Sequence, residues 1–282
     1  ERGEATVMYI DGVKVSGGSS SLPPSAIEQV AVIISGIPAQ YGDATSGVIN
    51  VTTKGPSNVY AGGIELQTSQ FLDDFGYNRA GFNLQGPIIR KKVNEAGDKR
   101  SILGFFIAGD LIYQKDAAES PIGRYKVKDD VLAKLKESPL YVDGLNVIRT
   151  SASYLTKDDF EQVNSSLNSS DYTANFSGKL DLKISESTNF TLGGSYNYNT
   201  GRGFSYGNSM MNWENNGEYF NTTYRGFARF TQKFKSADDA FIKNAYYNIQ
   251  VDYSKSFSKN QNAEFKDNIF KIGYIGRFDT YT

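Results

Sequence analysis

Neither histidine nor cysteine occurs in the 282 residues. The commonest general base, the commonest metal ligand and all thiolate chemistry are therefore missing. What remains for acid–base work is carboxylates in pairs: Asp73-Asp74, Asp129-Asp130 and Asp158-Asp159. Adjacent carboxylates can share a proton, but each pair sits in a polar connecting stretch, where Asp ordinarily caps a helix or solvates a turn. The run "SGGSSS" from Ser16 has phosphate-loop glycines, yet no Gly-Lys-Ser/Thr follows it. Asn189-Phe190-Thr191 has glycosylation spacing, a chance match if the source is bacterial. No catalytic residue, metal ligand or cofactor site emerges, and the chain reads as a non-enzyme. One stretch does carry binding chemistry. Residues 204–216, "FSYGNSMMNWENN", hold the only tryptophan, Trp213, with Tyr206, Asn212 and Asn216. Aromatic faces beside amides can stack on and hydrogen-bond a sugar or peptide. The same residues can equally pack on one another.

The elements that would position such a loop are strands. The chain has 19 Tyr, 18 Phe and 28 Gly but only 7 Pro, a strand-and-turn composition. Net charge is −1, so no overall field favours nucleic acid or an acidic substrate. From Tyr60 onward apolar and polar residues alternate with period two. In residues 172–184 the even positions run Tyr172, Ala174, Phe176, Gly178, Leu180, Leu182 and Ile184. The odd positions between them run Thr173, Asn175, Ser177, Lys179, Asp181 and Lys183. The pattern recurs over 190–199, 245–254 and 270–278, and more weakly near 60–70, 79–89, 101–115 and 219–234, which predicts eight strands.

A soluble sandwich also alternates. These strands, however, run about 10–17 residues, longer than the usual 5–6. Aromatic residues gather towards strand ends (Tyr172, Tyr198, Tyr247, Phe270). Short links near 90–100, 186–189 and 237–244 alternate with long ones at 116–171 and 204–218. Those three features belong to outer-membrane barrels. Asp181 is expected on the face away from lipid and Leu180 on the lipid face. The 116–171 connection is too long to be structureless, so helical turns are predicted near 127–137 and 157–167, the second capped by Thr156.

Residues 1–55 read differently. "VMYIDGVKV" predicts a strand, an Asp-Gly turn and a second strand. Pro23-Pro24-Ser25 starts a helical turn, "SAIEQ". "VAVII" reads as a buried strand, "AQYGDATSG" as a loop and "VINVTT" as a closing strand. Together they make a small mixed α/β unit. Glu1-Arg2-Gly3-Glu4 is not a signal-peptide opening and no apolar run reaches 18 residues. The chain is expected to be an internal piece of a longer polypeptide.

Ile10-Asp11-Gly12, Ile27-Glu28, Tyr41-Gly42 and "GVINVTTK" (Gly47–Lys54) occur in the order and spacing of the plug of TonB-dependent outer-membrane receptors, and this stretch resembles the C-terminal half of that plug. Ser46 departs from the family's paired glycine. "LQGPIIRKK" resembles Bacteroidetes-type members. The resemblance implies a mainly β fold: a transmembrane antiparallel β-barrel, of which this chain holds about eight strands, with part of a plug in its lumen. Residues 1–55 would be plug and 56–282 barrel, the complete wall having ~22 strands. The plug is expected inside a curved sheet that does not close on itself, with 116–171 extracellular.

The implied activity is binding of an extracellular ligand and its import by TonB-coupled active transport. The implied partners are TonB with ExbB/ExbD, outer-membrane lipid and a surface lipoprotein. The ligand class stays open between siderophore, cobalamin, glycan and peptide. By resemblance the ligand contacts are Ser16, Gly17, Gly18, Ser19 and Tyr41, joined by Tyr206, Asn212 and Trp213 from the aromatic loop. Tyr41 serves equally well as packing. The alternatives are a non-transporting accessory barrel in a larger outer-membrane complex and a soluble carbohydrate-binding β protein.

Overall fold

The computed structural model describes residues 6–15, 21–38, 41–42, 44, 46–92, 99–117, 120, 122–234, 245–268 and 270. Strand β1 (Val7–Ile10) turns at Asp11-Gly12 into β2 (Val13–Lys14). Both turn residues have positive φ, 50° and 80°, the backbone that a two-residue hairpin demands and that Asp-Gly supplies. A 3-10 turn at Pro24–Ala26 leads into β3 (Ile27–Ile33), and β4 (Val48–Thr53) completes a sheet of order β2-β1-β4-β3. Strand β1 runs parallel to β4, and β3 antiparallel to it. Ile10, Leu22 and Val51 form its small core. Two expectations change here. The helical turn ends at Ala26, and Glu28-Gln29 already belongs to β3. "VAVII" is not buried: Val30 is 51% and Val32 64% exposed. Strand β3 is an edge strand of the four, and these side chains alternate away from the core.

The larger sheet begins with β5 (Ala61–Thr68), β6 (Tyr77–Lys92) and β7 (Lys99–Gln114). A long connection then carries β8 (Arg124–Val127), helix α1 (Asp129–Glu137), the hairpin β9 (Leu140–Val142) and β10 (Ile148–Thr150), and β11 (Phe160–Val163). The sheet resumes with β12 (Asp171–Lys183), β13 (Thr188–Arg202), β14 (Glu218–Lys233) and β15 (Tyr246–Gln261); the short helix α2 (Tyr206–Ser209) lies between β13 and β14. All seven strands pair antiparallel with their sequence neighbours in the sheet. Among the described residues β5 and β15 do not pair with each other, as expected of an unclosed sheet. The expected strand over 270–278 lies outside the described residues, apart from Phe270.

Helix α1 forms where predicted, with Asp129 and Asp130 in its first turn and Lys134 and Lys136 in its last, each favourable to the helix dipole. The second predicted helix does not form. Lys157–Asp159 is a single 3-10 turn, closed by the Thr156 amide and hydroxyl donating to Asp159. Phe160–Val163 then pairs with Arg124–Val127. A partner some 35 residues away in sequence overrides the local helical spacing, which tertiary pairing commonly does.

Cross-strand register sorts the faces. Leu180 pairs with Phe105 and Leu192, while Lys179 pairs with Phe106 and Gly193. Leu180 and Leu192 stand 41% and 43% exposed. On the opposite face Asn175, Ser177 and Phe106 are buried, and the four-stranded unit covers them. Ala26 of that unit packs on Phe106 and Ala108. The assignment of Leu180 and Asp181 to opposite faces agrees with this. The aromatic residues are less confined than expected. Tyr172 and Tyr247 lie at strand ends, but Phe176, Tyr196, Tyr224 and Tyr253 share the outer face at mid-strand.

Gly178, Gly194 and Gly226 lie side by side on β12, β13 and β14 of the outer face. A Cβ at Gly194 would stand 2.6 Å from the Arg225 carbonyl oxygen, whereas at Gly226 the nearest atom is 3.9 Å away. Gly194→Ala is therefore expected to destabilise the sheet by about 1–3 kcal/mol, and Gly226→Ala to leave it unchanged. Thermal unfolding of the two variants reads the difference. Equal midpoints would contradict the close approach.

Candidate functional site

The Asp11 carboxylate joins the two sheets. Its Oδ1 accepts from the Thr53 amide at 3.0 Å and from Lys179 Nζ at 2.7 Å, and its Oδ2 accepts from the Thr53 hydroxyl at 2.6 Å. Lys179 also donates to the Thr53 carbonyl at 2.7 Å. From β14, the Arg229 guanidinium donates to the Asp11 carbonyl, and its Nε donates to Gln250. Both members of the Lys179–Asp11 pair are about nine-tenths buried. The hairpin turn orients Asp11, β4 supplies Thr53, and period two brings Lys179 to the covered face. The sequence placed Asp181 on this same face. Asp181 accepts from Thr191 within the sheet.

Towards the end of the covered face that carries the long connections lies an open basin of about 560 Å³. This volume lies within the range of small-molecule sites, roughly 300–1,000 Å³. Its walls are Thr173 and Asn175 of β12, Asn197 and Asn199 of β13, Asn221 and Thr223 of β14, and Ser256 and Ser258 of β15; Ser21 forms part of its floor. The side chains are laced across the strands. Asn197 Nδ2 donates to Asn175 Oδ1 and to the Ser21 carbonyl. Asn199 Nδ2 donates to Thr173 Oγ1 at 2.9 Å and Asp171 Oδ1 at 2.6 Å, while Ser258 donates to Asn221 Oδ1 at 2.7 Å. Asn175 Nδ2 and Asn197 Oδ1 have no partner. Sequence reading missed this wall, although Asn175, Asn197, Asn199 and Asn221 all fall on the polar parity of their strands.

The expected contacts divide. Ser16, Gly17, Gly18 and Ser19 lie outside the described residues. Tyr41 packs edge-on against Tyr9, with ring centroids 5.0 Å apart, and its carbonyl accepts the Tyr9 hydroxyl. Tyr206, Asn212 and Trp213 share one loop, and that loop is pinned to the long connection. Arg124 lies over the Phe204 ring at 4.2 Å and the Tyr206 ring at 5.3 Å, and Lys126 lies 5.7 Å from the Trp213 ring. Asn168 and Asn216 exchange side-chain-to-backbone bonds between the two loops. Three rings of the loop thus meet cations of the chain itself, although Tyr206 stays largely exposed. Among the described residues no hydrogen bond or ring contact joins this loop to Tyr41.

Asp73 and Asp159, from two of the carboxylate pairs, act as turn anchors, as does the single Asp143. Asp73 accepts from the Ser69 hydroxyl and from the Phe75 and Gly76 amides, and the Ser69 bond leads in holding its carboxyl below the usual range. Asp159 is lowered by the Thr156 amide and hydroxyl, and Asp143 chiefly by the Arg149 guanidinium. Among the described residues no acidic cluster could hold a metal ion, and no helix is long and apolar enough to cross a membrane.

No family model matches the chain. A curated relative, the probable TonB-dependent siderophore receptor PirA of Acinetobacter baumannii, is 40% identical over 77 residues, which is 26% of this chain and 10% of that protein. Among solved structures the chain is similar to the ferripyoverdine receptor of the outer membrane of Pseudomonas aeruginosa, at 14% identity and TM-score 0.45, covering 81% of this chain and 25% of that one. It is likewise similar to the siderophore receptor PirA of Pseudomonas aeruginosa, at 15% identity and TM-score 0.41, covering 91% and 42%. The chain thus spans less than half the length of each of these proteins.

Two outcomes follow from the geometry. Lys179→Met strands the Asp11 carboxylate in a buried site, which should cost about 3–5 kcal/mol. Combining it with Asp11→Asn should cost less than the two single changes added together. Denaturant titration of the four proteins measures the coupling, and strict additivity would contradict it. The loop carboxyls fix a pH window. Their folded values are depressed, so their contribution is complete above the unfolded value of about 4 and is lost as pH falls through the folded values. Limited digestion by an acid protease should open the loops below about pH 4, with no change in loop protection between pH 5 and 8.

Proposed function

We propose that this chain is part of an outer-membrane receptor in which residues 1–55 are the C-terminal half of a plug and residues 56–282 the first strands of its barrel. The complete protein binds an extracellular ligand and imports it, with TonB and ExbB/ExbD supplying the energy from the periplasmic side. A siderophore, cobalamin, a glycan or a peptide is the cargo, and a surface lipoprotein is a partner in Bacteroidetes-type members. No bond of the cargo is made or broken.

One observation carries this reading. The unit that bears the Ile-Asp-Gly and "GVINVTTK" motifs lies on the polar face of a long-stranded sheet, tied there by Asp11, Lys179 and Arg229, while the opposite face is apolar and exposed. A soluble sheet would cover that apolar face. In an outer membrane the lipid covers it. Residues 69–76, 115–170 and 203–217 then face outward from the cell, and the basin opens on the same side, in line with a ligand arriving there.

The test uses the full receptor in cells with and without TonB. Uptake of a panel of a ferric siderophore, cobalamin, an oligosaccharide and a peptide should include one cargo that is lost when TonB is deleted. Uptake that persists unchanged would replace active import with a non-transporting barrel. Face assignment has its own check. Leu180→Arg places a charge against hydrocarbon, costing roughly 2–4 kcal/mol near the midplane, and should reduce the heat-modifiable folded form on gels. Asp181→Asn should leave that form intact.

A further inference from the structure

The exposed apolar face of the large sheet is not flat. Next to the long connections it holds an open trough of about 620 Å³ that spans β5, β6, β7, β12 and β13. Ala80 on β6 and Ala174 on β12 form its floor, on either side of Leu111, with which both pair. Small residues make the hollow, and aromatic pairs bound it. Towards mid-strand the Phe82 and Phe176 rings meet at 6.5 Å over Gly109, where a Cβ would stand 2.7 Å from Phe176 and 2.8 Å from Phe82. Towards the loops the Tyr113 and Tyr172 rings lie 4.8 Å apart. Alternation and register put these side chains on the same face as Leu180.

The loop end of the trough is polar and carries a cation. Thr68 donates to Asn78 Oδ1 at 2.8 Å. Lys115 follows Tyr113 by two residues, and a Cβ at Gly76 would stand 3.0 Å from the Lys115 Cβ. Lys115 therefore leaves the backbone on the side of Asn78 and Tyr113. It is exposed, its Nζ donates to the Asp74 carbonyl at 3.5 Å, and among the described residues it makes no ion pair. The carboxylates beside it are engaged within the loops. Asp73 accepts from Ser69, Phe75 and Gly76, and Asp74 accepts from Asn164 at 2.7 Å. Further along this face Arg202 and Glu218 neutralise each other at 2.9 Å. Arg79 points to the covered face and pairs there with Asp110.

An apolar trough with a lone cation at one end is complementary to an amphiphile with an anionic head. Tyrosines at the same end suit the boundary between hydrocarbon and headgroups, and a lysine at that boundary attracts anionic lipid. We propose that the trough holds one acyl chain of a phosphate-bearing membrane lipid, with the phosphate seated at Lys115. The site depends on the reading of this face as lipid-facing and not on import.

The full receptor, purified in neutral detergent, is titrated with dimyristoyl phosphatidic acid, dimyristoylglycerol and inorganic phosphate, and bound lipid is counted by native mass spectrometry. Phosphatidic acid should fill one site more tightly than the diacylglycerol, and inorganic phosphate should not displace it. Lys115→Met keeps the alkyl stem and removes the charge. It should weaken phosphatidic acid about fivefold, the effect of one basic residue facing an anionic lipid, and leave the diacylglycerol unchanged. Ala80→Leu fills the trough from an exposed position. It should weaken both lipids about tenfold, as if two methylenes had left the trough. The heat-modifiable form on gels separates loss of lipid from loss of folding, and Lys115→Met decides alone if Ala80→Leu does not fold. Equal binding of the two lipids, unaltered by Lys115→Met, overturns the proposal. So does displacement by inorganic phosphate, which would make Lys115 a plain anion site, or a folded Ala80→Leu that binds both lipids as before. A receptor that does not fractionate with membranes removes the lipid-facing reading and this site with it. Uptake that persists without TonB removes import and leaves the lipid site standing.

Discussion

The Asp11 carboxylate is the constraint on which the arrangement of the two sheets depends. It is buried, and an isolated buried carboxylate is not tolerated; it must be paired and hydrogen-bonded. Thr53 supplies two of its bonds from within the small unit, and Lys179 supplies the charge from the large sheet. The small unit alone cannot satisfy Asp11 electrostatically, and the large sheet alone would leave Lys179 without the carboxylate it pairs with. Docking the two solves both problems at once. Arg229, reaching the carbonyl of the same residue from two strands further on, fixes orientation as well as position. Other contacts are smaller in kind: an alanine on a phenylalanine, a serine on a carbonyl, and Asn197 on the Ser21 carbonyl.

How much of this could be read from residues alone differs by element. The long strands were legible because each has two unlike environments, and period two records that difference in every second residue. β12 extends one residue before the expected 172 and ends one before the expected 184. The short strands were not legible. Phe160–Val163 has helical spacing and becomes a strand because Arg124–Val127 lies beside it, a pairing with no local signature. "VAVII" is apolar enough for a core, but burial depends on which edge of a sheet a strand occupies, and sequence does not record edge position.

The candidate site shows the same division. Alternation assigned Lys179 and Asp181 to the covered face together. It could not say which of them stands opposite the Asp-Gly turn, because that depends on how the small unit slides along the sheet. The aromatic loop was visible as composition, yet its two possible roles differ only in partners. Arg124 and Lys126, some 80 residues earlier, supply such internal partners, while Tyr206 remains 77% exposed. The asparagine wall was present on the correct parity of three strands. It was overlooked because its members stand on separate strands, Asn175 and Asn197 being 22 residues apart in sequence, and asparagine carries no motif.

The long connections at 115–170 and 203–217 are bound to each other at one end of the sheet, through Asn168, Asn216 and the Lys126–Trp213 contact. In a bilayer setting this gives assembly a direction. The end with short turns can lead or trail at little difference, but the end with interlocked polar loops must pass the hydrocarbon before its loops find one another. The strands therefore have to register first and the loops lock afterwards, which makes loop closure a late step that holds an already inserted wall in place.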